Sequence, residues 1–432
     1  MANTDHWIRL DKQHCWHPFT QQKDWEQAEH QPVMLESADG VWLTDTEGNR
    51  YLDGNSSIWT NIHGHNHPYL NQAIQEQLAK VAHTSYLGFG HPLASELAQR
   101  LCHQFPENTL TRCFFSDDGS TAIECAIKMS IQSRQQSGEE VRTRFLAFDN
   151  AYHGDTMGAS SLGGVSTFFE RFAKFGMPTH RLSSLEDLKA LPSQLIEETT
   201  ALIIEPLIQG VNQMNVWPEG MLKSLRDWTQ QHGIHLILDE VMTGFGRTGN
   251  LFACQQEAVT PDFLCLAKGL TGGYLPMAAT LTTEAIYDTF LGNYEDLKTF
   301  FYGHSYTANP LGCAAAMASL DLFEKEKTLE QLPEKIQHLL AGLKRLQANY
   351  PTLHDIRHKG LIFGLELRKA DGEPFDWTER HGAQFCDLLK KHGVLTRPIL
   401  NTIVLMPPLS ITLEEIDFML NTCENSLKEF EV

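Results

Sequence analysis

A series of short runs, apolar at nearly every position and separated by amphipathic stretches, constrains this chain most. Arg112–Phe115, Phe145–Phe148, Ala201–Ile204, Ile234–Leu238 and Phe263–Leu266 show little alternation of polar and apolar residues. A strand with one wet face alternates. A strand covered on both faces does not, so these runs predict parallel strands buried between helices. Helical patterns such as Ser120–Gln135 and Met221–Gln231 lie between them. The alternation predicts an α/β protein: a mostly parallel central sheet flanked by helices, with ligands gathering at the carboxyl ends of the strands.

At 432 residues the chain is too long for one small core. Its character changes near Asn309-Pro310, where helix-like Leu311–Lys325 and Leu332–Asn349 lead to strands near Leu361–Leu367 and Ile403–Leu405. A closing amphipathic helix is expected over about Leu413–Phe430. This predicts a large domain over 66–310 and a smaller α+β domain over 311–432. The segment 1–65, with strand-like Val41–Asp45 and Tyr51–Asp53, is expected to pack against the smaller one.

Composition narrows the function classes. Lysine and arginine number 34 against 54 acids, a net charge of −20, which argues against nucleic acid as a partner. No apolar run approaches the ~20 residues that cross a bilayer, and Met1–Leu10 lacks the apolar core of a signal peptide. The 9 cysteines include no Cys-x-x-Cys pair, so reduced thiols in a cytoplasm are expected. His63, His65 and His67 alternate, but Asn66-His67-Pro68 reads as a loop before a helix and no carboxylate or cysteine joins them. No metal is expected there.

The chemistry starts from two strand ends. Ile234–Asp239 is a buried strand closing on a carboxylate; by itself, Asp239 is equally a helix cap or a magnesium ligand. Phe263–Lys268 is a second such strand, and Lys268 is followed by Gly269, Gly272 and Gly273. A single lysine in a turn is usually just exposed. Lysines rarely enter so apolar a setting unless paired or chemically used, and a desolvated one has the neutral amine that forms a Schiff base. The two residues lie about one strand–helix–strand unit apart, so both can reach one ligand. An acid for a pyridine nitrogen and a lysine for an aldehyde carbon is what pyridoxal phosphate requires. Gly119-Ser120-Thr121, between a strand and a helix, offers free amides and hydroxyls for a phosphate, although the same residues serve as a plain helix cap. Tyr152 follows the next strand, where a ring could stack on the pyridine or simply join the core.

Taken in this order, the pieces resemble the class III (ornithine-type, fold type I) aminotransferases along nearly the whole chain. The stretch Leu238-Asp239-Glu240-Val241-Met242-Thr243-Gly244-Phe245-Gly246-Arg247-Thr248-Gly249, with Lys268 downstream, is the specific part. Glu205-Pro206 and Gln209-Gly210 match the family's run after its central strand. The resemblance implies Asp239 on the ring nitrogen, Lys268 as Schiff-base lysine and proton shuttle, and Gly119 and Ser120 on the phosphate. It also implies a homodimer in which Ser305 of Gly303-His304-Ser305 reaches the partner's phosphate. The expected cofactor set is Gly119, Ser120, Tyr152, Asp239, Lys268, His304 and Ser305. The expected substrate set is Phe19, Ile58, Trp59, Tyr152, Arg247, Gly303 and Arg397.

Within the class, Trp16–Thr20, Ile62–Pro68, Gly154-Asp155-Thr156 and Leu405–Pro408 look like the 7,8-diaminopelargonate synthase branch. Those enzymes aminate 8-amino-7-oxononanoate in biotin synthesis. Arg397 matches their arginine for the substrate carboxylate, with a surface ion pair as the alternative. Many members have Tyr where Phe19 stands, Trp at Ile58 and Pro-Thr at His304-Ser305. In the members that use S-adenosylmethionine those positions surround the donor pocket, and the forms here resemble the lysine-using branch. The donor is therefore S-adenosylmethionine or lysine. The rivals are a transaminase of ornithine, 4-aminobutyrate or another ω-amine, an aminomutase, and a cofactor-binding regulator without catalysis. An intact Lys268–Asp239 pair and Arg397 speak against the last.

Overall fold

The structure, a computed structural model, describes residues 4–430. Its centre is a seven-stranded sheet built from β1 (Leu110–Ser116), β2 (Arg144–Phe148), β3 (Thr179–Leu182), β4 (Thr199–Ile204), β5 (His235–Asp239), β6 (Phe263–Leu266) and β7 (Ala278–Thr283). The spatial order is β1-β7-β6-β5-β4-β2-β3. Strands β3, β2, β4, β5 and β6 run parallel. β7 runs antiparallel to both of its neighbours.

Every residue of β4 and β6 is buried, the arrangement their unbroken apolar runs predict. Two strands have weaker sequence signals. β7 is a run of alanine and threonine around one leucine, buried except at its last residue. Its small residues let helix α1 (Gly119–Gln136) approach, and Thr280 donates its hydroxyl to the Ala122 carbonyl at 2.9 Å. β3 lies at the sheet edge, and only its last residue, Leu182, is fully buried, as a strand paired on one side allows.

Helix α1 begins immediately beyond β1 because its start is capped twice. Asp118 accepts from the Thr121 amide at 2.9 Å, and the Thr121 hydroxyl accepts from the Asp118 amide at 2.9 Å. Its buried face, including Ala122, Ile123, Ala126 and Ile127, lies on the sheet. Helix α2 (Met221–Gln231) covers the opposite face with Met221, Leu222 and Leu225, residues of the larger core cluster that also holds Leu236 and Leu238. Burial on both faces aims the carboxyl ends of β4, β5 and β6 into one crevice.

The C-terminal part comprises α3 (Pro310–Lys325), α4 (Thr328–Asn349), β8 (Leu353–Lys359), β9 (Ile362–Leu367), α5 (His381–Lys391), β10 (Pro398–Ile399), β11 (Thr402–Leu405) and α6 (Leu413–Glu429). Its sheet is antiparallel, in the order β8-β9-β11-β10. Strands Leu35–Asp39, Trp42–Asp45 and Arg50–Asp53 form a meander that is extended by Val394–Leu395, paired parallel to Leu52 and Asp53. The two ends of the chain thus share one sheet, and the Trp42 indole donates to Glu415 at 2.9 Å.

Among the described residues no helix is long and apolar enough to cross a membrane. The three alternating histidines diverge. His63 pairs with Ser319 at 3.1 Å, His65 with Asp53 at 2.9 Å and His67 with Glu326 at 2.9 Å.

Candidate active site

A cavity of about 360 Å³ opens at the carboxyl ends of the sheet, lined by Lys268, Asp239, Glu205, Tyr152, His153, Gly119, Ser120 and Trp59 among others. Asp239 ends β5 and is 4% exposed. One carboxylate oxygen accepts from the Val241 amide at 3.1 Å; the other takes the Nδ1–H of His153 at 2.8 Å. His153 is buried too, and its Nε2 has no partner. The imidazole therefore fixes the carboxylate's direction from behind. Sequence reasoning overlooked His153: it follows β2, and only the sheet order, with β4 between β2 and β5, brings it to Asp239. Its position next to Tyr152 was the available signal.

Lys268 stands two residues beyond β6 in left-handed conformation, φ 45°. Its side chain is half-buried and points into the cavity, with Nζ 4.7 Å from the centroid of the Trp59 ring. Desolvation pulls its pKa down to about 8; Arg247 adds to this, while Asp239 and Glu205 oppose it. A sizeable neutral fraction near physiological pH is what a nucleophilic or proton-carrying amine needs. Glu205 is buried, accepting from the Gly210 amide at 3.0 Å and the Tyr152 amide at 3.3 Å. Burial, helped by Asp239, pushes its carboxyl up to about 7 against the pull of His153 and the two amides.

Lowering the pKa of Lys268 has a stability consequence. The folded chain gives up this proton near 8 and the unfolded chain near 10.5. Between those values the unfolded state binds more protons, so stability rises with pH; below 8 the cost of the buried ammonium is fully present. Lys268→Met is therefore expected to stabilise the cofactor-free chain at pH 7 by about 2 kcal/mol, allowing for water in the open cleft. Denaturant unfolding at several pH values checks this: the gain should shrink as pH climbs past 8.

The opposite wall suits a phosphate. Gly119 opens α1 against Val241, whose Cγ1 would lie 2.6 Å from a Cβ at that position. Gly154, at φ +119°, leaves Ser120 free of a clash that a Cβ would make at 2.2 Å from Oγ. Ser120 Oγ accepts from the Asp155 amide at 3.1 Å. The two glycines keep the first turn of an eighteen-residue helix open to the cavity, and its free amides favour an anion. A lysine, a carboxylate held by a histidine, and this glycine-lined turn fit an aldehyde cofactor bearing a pyridine ring and a phosphate.

The other candidate residues divide. Tyr152 lines the cavity and donates its hydroxyl to Asp155 at 2.7 Å. Burial and that carboxylate push its pKa up. Its ring meets Phe168 edge-on at 6.0 Å, and Phe168 meets Phe19 at 5.3 Å, so Phe19 joins the site through an aromatic relay while staying 60% exposed. Ile58 is exposed and lies outside the lining. Gly303, His304 and Ser305 also lie outside it, although His304 Nδ1 is 3.0 Å from Asp117 at the rim. Arg397 is exposed on the turn before β10.

The expectation for Arg247 is corrected. Its side chain is fully buried, donating to the carbonyls of Pro407 at 2.8 Å and Asn61 at 2.7 Å. Burial draws its pKa down to about 9 against the opposing charge of Asp53. It ties the large sheet's loops to the two chain ends as a strut. Motif spacing places Arg247 beside Asp239 but does not say which way its side chain points.

Comparison with known proteins agrees with this geometry. The model of the class-III aminotransferase family matches residues 25–427. The adenosylmethionine-8-amino-7-oxononanoate aminotransferase of Geobacter sulfurreducens is 44% identical, over 96% of each chain. Its counterpart from Nitratidesulfovibrio vulgaris is 47% identical, over 97% of this chain and 81% of the relative. The crystal structure of that enzyme from Methanocaldococcus jannaschii superposes with a TM-score of 0.95 at 38% identity, covering 99% of both chains. An amine transaminase from an uncultivated Pseudomonas species superposes with a TM-score of 0.89 at 34% identity, covering 97% of this chain and 99% of its own. The chain belongs to the class-III aminotransferases, enzymes that move amino groups on pyridoxal phosphate.

Proposed function

We propose that this aminotransferase transfers an amino group to 8-amino-7-oxononanoate, yielding 7,8-diaminononanoate, with S-adenosylmethionine or lysine as donor. The observation that carries the reaction type is one cavity holding the Lys268 amine and the Asp239 carboxylate. Relatives bearing that activity's name, matched along nearly the whole chain, support the acceptor.

When bound, pyridoxal phosphate supplies an aldehyde carbon that takes the amino group and a ring that spreads the electron pair left by a departing proton. Lys268 Nζ, partly neutral, takes that proton from the donor carbon and later returns one to the acceptor carbon. Asp239 offers its carboxylate to the ring nitrogen, and the His153 Nδ1–H keeps the carboxylate aimed. The first turn of α1 and Ser120 would hold the phosphate, with the Tyr152 ring beside the pyridine. Arg397 would take the acceptor's carboxylate, while Phe19, Ile58 and Gly303 would border the donor. The same groups serve both half-reactions.

We also infer a homodimer in which the Gly303-His304-Ser305 turn of one subunit completes the other's phosphate site. Support comes from apolar side chains left exposed, Leu87 at 88%, Phe89 at 70% and Phe301 at 75%. The nine cysteines, all free, support a cytoplasmic setting.

The test is an acceptor screen joined to separate half-reactions with S-adenosylmethionine and with lysine. Amination of 8-amino-7-oxononanoate is expected, and the compound that bleaches the cofactor's long-wavelength absorbance is the donor. No product with that acceptor overturns the proposal, as does turnover without any external donor, which would mark an aminomutase.

A further inference from the structure

In part of every turnover Lys268 is released from its covalent link, and its amine then needs a place to wait. The segment entering the cleft provides an unusual one. Ser56, Ser57, Ile58 and Trp59 have φ of 45°, 61°, 126° and 65°. Four successive non-glycine residues at positive φ are strained, and β-branched Ile58 most of all. Such strain persists only where the surroundings over-determine it.

The surroundings here are specific. Asp53, 2% exposed, accepts from the Ser57 amide at 2.9 Å, the Ser57 hydroxyl at 2.8 Å and His65 Nε2 at 2.9 Å. The Ser56 hydroxyl donates to the Met406 carbonyl at 2.7 Å, and the Trp59 indole N–H to Asn55 Oδ1 at 2.8 Å. Two glycines make room: a Cβ on Gly273 would lie 2.7 Å from the Thr60 backbone, and one on Gly210 would lie 3.1 Å from the Trp59 ring. The indole is thus wedged with its face toward Lys268 Nζ.

We propose that the Trp59 ring is the resting place of the Lys268 ammonium whenever the amine is uncommitted, and that Asp53, with His65, is the positioning residue that sets the ring there. The proposal rests on Lys268 being the cofactor-bearing lysine. An indole face attracts a cation but accepts no proton, so it fixes the ammonium's position while holding its proton only weakly. A carboxylate in contact would hold both. The charged groups that act on Lys268 are Asp239 after β5, Glu205 after β4 and, from outside the cavity lining, Arg247, with His153 behind Asp239 and Asp117 and Asp118 on the far rim. The ring adds to their balance a term that favours the ammonium.

The test uses the full-length chain stripped of cofactor and measures how fast it captures added pyridoxal phosphate at different pH values. Capture joins Lys268 Nζ to the aldehyde carbon, with loss of water and release of the ammonium proton to solvent. The midpoint is expected near 8 in the parent chain. Trp59→Leu keeps the wall apolar but removes the ring, and should move the midpoint to lower pH by about 0.5 to 1. Asp53→Asn should move it the same way by less, and the double variant should match Trp59→Leu alone. Trp59→Phe, which keeps a ring, should recover most of the difference. An unchanged midpoint in Trp59→Leu overturns the proposal, as does a shift in Trp59→Phe as large as that in Trp59→Leu, or Asp53 and Trp59 effects that simply add. Undiminished capture by Lys268→Ala would instead remove the assignment of the lysine itself.

Discussion

Lys268→Ala is expected to lower steady-state transamination at least about 10⁴-fold and to abolish the long-wavelength absorbance of the bound cofactor. Both losses follow from one atom. Among the described residues Nζ is the only amine lining the cavity, and burial keeps its pKa near 8, so it serves as nucleophile and as proton carrier. Lys268→Arg separates the roles of charge and basicity. It restores a cation beside Trp59, yet a guanidinium stays protonated throughout the accessible pH range and should leave the enzyme as inactive as alanine does. Absorbance and single-turnover assays on both variants decide the matter, and a persistent band with turnover in Lys268→Ala would remove the assignment.

The second large effect is expected at Asp239. Asp239→Asn keeps an oxygen for the Nδ1–H of His153 and nearly the same shape, but it removes the negative charge. Where an acid pairs with the cofactor's ring nitrogen, that charge matters most as electrons flow into the ring. The loss should therefore fall on kcat, by about 10²–10³-fold, with a smaller change in cofactor affinity. Titrating the stripped variant with pyridoxal phosphate separates the two. If affinity collapsed while kcat in saturating cofactor stayed at the parent level, Asp239 would be an anchor for binding only.

Much of the fold was legible because burial on both faces leaves a plain mark. Ala201–Ile204 and Phe263–Leu266 have no polar position to misread, and the structure places both inside the sheet. β7 was illegible for the opposite reason. Its alanines and threonines are small so that α1 can approach, and small residues carry little periodic signal. In the cleft, Lys268 and Asp239 stood out at the carboxyl ends of two buried strands, and the structure brings both into the lining of one cavity. His153 did not stand out, since its contact depends on how three strands are ordered side by side. Arg247 shows the remaining limit: a motif fixes a residue's place along the chain but not its direction, and this one turns away from the cavity toward Pro407 and Asn61.

The reversed strand β7 has a consequence for how this scaffold tolerates change. Because β7 runs against β6, the chain passes from Leu266 to Ala278 along the same sheet edge, with no crossover helix between. Ala267, Lys268 and Gly273–Met277 on that path all line the cavity. Both ends of the connection are anchored in one sheet, so an added residue would displace side chains that line the ligand space. Loop grafting or library diversification there should meet near-universal loss. The partly exposed stretch around Ser166–Phe175 has no such double anchorage and is the better place to insert sequence when reshaping the entrance.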